Sequence, residues 1–125
     1  MLRLMCKGKI HRATVTEADL DYVGSITIDS KLMKAADIRP YEMVQITNLR
    51  NATRWKTYAL PAEAESGKIC LNGPPAHLFS EGDLVIILSM AQMSEEEVEA
   101  LEPHVVFVDE KNQITHVESH ELHWG

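Results

Sequence analysis

The sequence predicts a mainly β fold, a compact barrel of short strands with brief helices, and three observations predict it. Apolar and polar residues alternate with a period of two over much of the chain, turn signals fall at short intervals, and helix signals are few and brief. Many short strands with little helix between them favour a barrel over a parallel sheet covered by helices.

The elements follow in order. Leu2, Leu4 and Cys6 alternate with polar neighbours, and Ile10, Ala13 and Val15 continue the extended reading. Gly24 breaks this run, and Ser25-Ile26-Thr27-Ile28 restarts the alternation. Asp29, ahead of Ser-Lys-Leu-Met-Lys-Ala-Ala, reads as an N-cap opening a short helix with Leu32, Met33 and Ala36 on one face. Arg39-Pro40 stops that helix. Strands are predicted at 42–47, 55–60, 68–71 and 84–90, separated by turns such as Asn51-Ala52, Ser66-Gly67 and Glu81-Gly82-Asp83. Ser94 with Glu97 is a capping box that opens a helix through Leu101, and 105–108 is a last apolar strand. From 113 to 125 the chain is polar and His-rich, a composition that predicts a frayed, flexible tail.

With 125 residues, 45% of them hydrophobic and 25% charged, the chain predicts one domain, 1–125, with a substantial core. A formal net charge of −7 leaves no electrostatic footprint for nucleic acid or an anionic membrane, so neither is an expected partner. Cys6 and Cys70 stand outside any CxxC or metal-ligand pattern and read as reduced, packed thiols. No apolar run is long enough for a secretion signal or a membrane span, which predicts a cytoplasmic protein.

Gly24-Ser25 is the first candidate for chemistry. A serine after a glycine is special only if its hydroxyl reaches the preceding carbonyl carbon, and glycine allows the strained backbone that this needs. Attack there converts the amide to an ester, and elimination followed by hydrolysis leaves a ketone-ended chain; the serine acts first as nucleophile. As a bare dipeptide, Gly-Ser is ordinarily a turn. In Arg54-Trp55-Lys56-Thr57-Tyr58, positions 54, 56 and 58 share one strand face. Arg54 offers a guanidinium fork for a carboxylate and Tyr58 a phenol able to give a proton, although the pattern also fits a solvated cationic strand. Lys9 and His11 likewise point one way from the first strand. Asn72-Gly73-Pro74-Pro75 ends a strand and makes a turn whose backbone, with the Asn72 amide, would line a ligand site. His104, His116, His120 and His123 offer a competing metal-binding reading, since the last three would share a helical face, but the tail also reads as a solvated segment.

In order and spacing, KGKIHRATVTEADLDYVGSITID (7–29), RWKTYAL (54–60), ICLNGPPAHL (69–78) and EGDLVIILS (81–89) resemble the pyruvoyl-dependent aspartate decarboxylases, which make β-alanine for pantothenate. The resemblance covers most of residues 1–110 and implies a double-psi β-barrel and a homotetramer with sites near subunit interfaces. It implies self-cleavage into a short chain, 1–24, ending at Gly24, and a long chain, 25–125, whose Ser25 becomes the pyruvoyl cofactor. Thr57 would assist processing and contact substrate, and Tyr58 would donate a proton. Lys9 and Arg54 would hold the two carboxylates of L-aspartate, in either order. His11, Tyr22 and Asn72 would line the cavity, and Gly73-Pro74-Pro75 would bind substrate through the backbone. No metal is expected.

Two departures bear on substrate affinity. The family commonly has alanines where this chain has Pro74 and Pro75, which carry no N–H, and some members place a tryptophan at position 47, here Thr47. The competing reading outside enzymology is an unprocessed β-barrel that serves as a binding or interaction module.

Overall fold

The computed structural model of the chain describes residues 1–21 and 24–119. Strand β1 (Arg3–Thr14) buries Gly8, Ile10 and Ala13 and leaves Lys7, Lys9 and His11 half-buried. That is the alternation of a strand with one face on a core, interrupted by a register shift between Ile10 and Ala13. Gly8 is required by packing, because a Cβ there would lie 1.8 Å from the Ala36 carbonyl oxygen.

β2 (Glu17–Asp19) and β3 (Ser25–Asp29) lead into helix α1 (Ser30–Ala35). Asp29 caps α1 as its sequence position predicts: its carboxylate accepts from the backbone N–H of Lys31 at 2.9 Å, and also from those of Glu65 and Gly67. β4 (Met43–Asn48), β5 (Arg54–Ala62), β6 (Ile69–Asn72) and β7 (Leu84–Met93) fall on the predicted strands, shifted or extended by a few residues. A short 3-10 helix, Pro74–His77, follows β6. The Ser94–Glu97 capping box forms and opens α2 (Glu95–Ala100), and β8 (His104–Val108) comes next.

The expectation of a frayed tail fails over its first half. Ile114–Ser119 form strand β9, antiparallel to β8, with Val106 opposite Val117 and Phe107 opposite His116. The strand is nearly all exposed, so it has no apolar alternation to betray it. Backbone pairing and the stacking of His116 on Phe107, centroids 4.3 Å apart, hold it to the sheet edge. The remainder of the tail, with His120 and His123, lies outside the described residues.

The nine strands of the described residues form one mixed sheet in the order β2-β6-β3-β5-β4-β7-β1-β8-β9. Three of its pairings are parallel: β1 with β8, β2 with β6 and β3 with β5. The short link from β1 to β2 curls the sheet back on itself. Val15 N–H donates to the Asp83 carbonyl, just before β7, while Thr16 N–H donates to the Ile69 carbonyl on β6. Inside lies one core of Ile10, Ile26, Ile28, Leu32, Ile46, Ile69, Leu71, Phe79, Val85 and Ile87 with their neighbours. Each such side chain contributes roughly 1.5–3 kcal/mol on full burial. Among the described residues no helix is long and apolar enough to cross a membrane.

Candidate active site

The site is built on the pairing of β3 with β6, which sets Ser25 opposite Asn72 and Thr27 opposite Cys70. Alternation separates two faces. Ile26, Ile28, Ile69 and Leu71 enter the core, so Ser25, Thr27, Cys70 and Asn72 gather on the other side. Ser25 is 1% exposed and Asn72 3%, so this polar group is buried and must satisfy itself. It does. Asn72 Nδ2 donates to Ser25 Oγ at 3.1 Å and to Thr27 Oγ1 at 3.0 Å, and Asn72 Oδ1 accepts from Cys70 Sγ at 3.1 Å. Burial, and next the Glu17 carboxylate, push the Cys70 thiol pKa up, which keeps it a protonated donor.

The turn after Asn72 abuts the Gly24-Ser25 junction. Gly73 takes φ 77° and ψ −144°, a conformation open to glycine, and its N–H donates to the Asp19 carbonyl at 2.8 Å. A Cβ on Gly24 would lie 3.7 Å from Pro74 Cδ and 3.9 Å from the Asn72 carbonyl oxygen, so the turn packs directly on the glycine. Pro75 is buried and Pro74 exposed.

β5 supplies the next residues. It runs parallel to β3 with Ile26 beside Ala59, so Ser25 and Tyr58, each one residue earlier, come level on the face away from the core. Tyr58 is half-buried and stacks on Tyr41, centroids 5.6 Å apart and planes 8° from parallel. Arg54, Lys56 and Tyr58 share one face opposite Thr47, Gln45 and Met43 of β4, with no bulge to re-aim Lys56. Arg54 and Lys56 are exposed, whereas Thr57 is 7% exposed and points inward. Thr47 sits directly opposite Arg54, so its small side chain leaves room beside the guanidinium.

Lys9 and His11 share a face of β1, but β7, β4 and β5 separate that strand from β3 in the sheet. Within one chain the ladder therefore joins Ser25, Tyr58, Asn72 and the Gly73 turn, and leaves Lys9 and His11 apart. His11 packs edge-on against Phe107 and borders a cavity of about 360 Å³ with Arg12 and Leu84. Its Nδ1 is buried without a partner. Burial, followed by the nearby Lys9 and Arg12 charges, lowers the His11 pKa and favours the neutral ring. Tyr22 lies outside the described residues. Of the tail histidines, His116 is on a strand rather than a helix, and upstream of the tail His104 Nδ1 pairs with Ser119 Oγ at 2.7 Å. Among the described residues no three His, Cys, Asp or Glu side chains are placed to hold a metal.

Two residues in contact with these groups escaped the sequence reading. Cys70 was legible only as a packed thiol, although its spacing of two from Asn72 puts both on one strand face. Tyr41, held by its N–H to the Ala59 carbonyl at 2.7 Å, carries no signal at all in the sequence.

Fold and site together define a small mixed β-sheet protein with a buried, hydrogen-bonded serine at the start of a strand, beside a tight turn. Among known proteins, the family model described as aspartate decarboxylase matches residues 1–115. The aspartate 1-decarboxylase of Acetivibrio thermocellus is 54% identical over 123 residues, 98% of each chain. That of Clostridium beijerinckii is 52% identical over 121 residues, covering 97% of this chain and 98% of the relative. That of Neisseria meningitidis is 54% identical over 121 residues, covering 97% and 95%. The chain belongs to the aspartate decarboxylase family and is a decarboxylase.

Proposed function

We propose that this chain is the precursor of a pyruvoyl-dependent enzyme that converts L-aspartate to β-alanine and CO2 for pantothenate synthesis, after splitting itself between Gly24 and Ser25. The observation that carries the reading is Ser25 itself: a buried hydroxyl, held by Asn72, next to a glycine pinned by the Pro74 turn. Its surroundings suit a small ketone made in place. The Asn72 amide offers an N–H at position 25, and a cofactor made from the chain itself needs no motif for an external one. A pyruvoyl group there supplies an electron sink for the pair left on Cα when CO2 departs.

The remaining steps belong to side chains. Arg54, exposed beside Thr47, takes one carboxylate of the substrate, and Lys9 takes the other. Holding both ends fixes the bond to be broken and supplies orientation as well as charge. Tyr58, level with Ser25 and steadied by Tyr41, returns a proton to Cα. Thr57, next to Tyr58 but facing inward, is assigned to assist the cleavage by the family likeness and not by a contact with Ser25 within one chain. Pro74 and Pro75 offer no N–H, so the Gly73 turn meets the substrate through its carbonyls and shape. Because β5, β4 and β7 stand between the strand of Ser25 and that of Lys9 and His11, the site is completed across a subunit interface of a cytoplasmic homotetramer. Exposed Tyr41 and Met43 border Tyr58 and give that interface an apolar surface.

The test is turnover. Protein incubated with L-aspartate should release β-alanine and CO2 in equal amounts, with none from Ser25→Ala. Turnover by Ser25→Ala, or none by a fully cleaved wild type, would overturn the reading.

A further inference from the structure

Asn72 presents an amide whose two ends have the same shape, so its direction is set only by its partners. On one side stand two hydroxyls, Ser25 Oγ and Thr27 Oγ1, each able to give or accept a hydrogen bond. They are indifferent to the direction. On the other side stands Cys70 Sγ, 3.1 Å from Oδ1 and 3.9 Å from the Glu17 carboxylate. The thiol is 3% exposed, has one hydrogen to give, and finds Asn72 Oδ1 as its nearer acceptor. Reversing the amide would turn N–H toward sulfur, a weak acceptor, and leave the S–H only its longer contact to the Glu17 carboxylate, so the exchange gives up the better pairing in a buried site.

We infer that Cys70 is a positioning residue for self-cleavage: its thiol locks the Asn72 amide so that the N–H end faces Ser25 Oγ. This rests on the pyruvoyl reading above and adds to it the group that directs Asn72.

The direction matters because Oγ loses its hydrogen early. When Oγ attacks the Gly24 carbonyl carbon, the C–N bond breaks, a C–Oγ bond forms, and the hydroxyl proton ends on the Ser25 nitrogen. The chain is now an ester of unchanged mass. In the next step the Ser25 Cα proton leaves, the Cβ–Oγ bond breaks, and Gly24 departs as a carboxylate that keeps Oγ. Water then replaces ammonia at residue 25 and leaves the ketone. From the ester onward Oγ can only accept, and negative charge grows on it as Cβ–Oγ breaks. An N–H aimed at Oγ stabilises that charge, whereas a reversed amide would set its own oxygen against it. Loss of the thiol donor therefore slows the ester-to-ketone step above all.

The experiment compares wild type with Cys70→Ser, which keeps a donor, and with Cys70→Val and Cys70→Ala, which do not. Purified precursors are warmed, and the rate of ketone-ended 25–125 is followed by intact mass. Parallel samples receive hydroxylamine, which splits the ester but not the amide and yields a serine-ended long chain. Cys70→Val and Cys70→Ala should form the ketone on the order of threefold to tenfold more slowly, as expected for one misdirected hydrogen bond. They should also accumulate full-length chain that hydroxylamine splits between 24 and 25, while Cys70→Ser stays near wild type. An unslowed Cys70→Val, or a Cys70→Ser as slow as Cys70→Val, would overturn the inference, the second by assigning the effect to shape. Those results beside a normally cleaving wild type sink this inference alone. A wild type that forms neither ester nor ketone removes the pyruvoyl reading and this inference with it.

Discussion

Asn72 Nδ2 donates to Ser25 Oγ at 3.1 Å across the β3–β6 pair, which makes the hydroxyl an anchored group rather than a free rotor. The same nitrogen also reaches Thr27, so removing the serine oxygen leaves Asn72 with one of its two acceptors. Ser25→Ala should therefore fold, with a loss of about 0.5–1.5 kcal/mol in stability, and remain full length. Denaturant melts and mass spectrometry check both halves; cleavage of the variant would remove Ser25 from the chemistry.

Tyr58 separates processing from turnover. Its phenol is level with Ser25 but does not bond it in the single chain, so Tyr58→Phe should cleave normally. Turnover should then fall by about 10²–10⁴, the usual contribution of a positioned proton donor. Tyr41 enters through its stacked ring: Tyr41→Phe should be near neutral, and Tyr41→Ala should lower kcat by roughly twofold to tenfold. Equal kcat values for wild type and Tyr58→Phe would reject the proton-donor role.

Arg54 is exposed on its strand face opposite a small residue, Thr47. A charge-assisted bond to a substrate carboxylate is worth roughly 1.5–3 kcal/mol, so Arg54→Gln should lower kcat/KM by about 10–150-fold. Self-cleavage should be unaffected. The check is steady-state kinetics on fully cleaved protein, and an unchanged kcat/KM would place the carboxylate elsewhere.

Asp83 gives the fold a defined acid sensitivity. Its hydrogen bond from Arg50 holds the carboxyl down to about 2, from an ordinary 3.8, with Ser80 N–H and Asn48 also donating. A group whose pKa is lower folded than unfolded contributes stability that is complete above the unfolded value and is lost as pH falls through the folded one. The Tm gap between wild type and Asp83→Asn should thus be constant above about pH 5 and narrow between pH 4 and 2. A gap that does not change with pH would mean that the carboxylate charge is not what matters.

The parts of this fold legible in the sequence are those where local chemistry and burial agree. Asp29 and the Ser94–Glu97 pair cap their helices because the cap is a local bond, and β3 to β7 alternate because one face of each meets the core. β9 was hidden because an exposed edge strand needs no apolar face, and its contact with Phe107 comes from an earlier part of the chain. The reach of Arg54, Lys56 and Tyr58 to one side followed from strand period alone. The distance of Lys9 and His11 from Ser25 did not, since strand order depends on long-range pairing that no window of sequence contains. Cys70 likewise met Glu17 only when β6 paired with β2, and the Asn72 amide beside it met Ser25 and Thr27 only when β6 paired with β3.

The central claim is that Ser25 becomes a ketone by breaking its bond to Gly24, and an intact mass spectrum with and without a carbonyl-trapping reagent tests it most directly. The account predicts two species, 1–24 and 25–125, with only the longer one gaining the mass of the reagent. A single full-length chain that resists prolonged warming and takes up no reagent would contradict it.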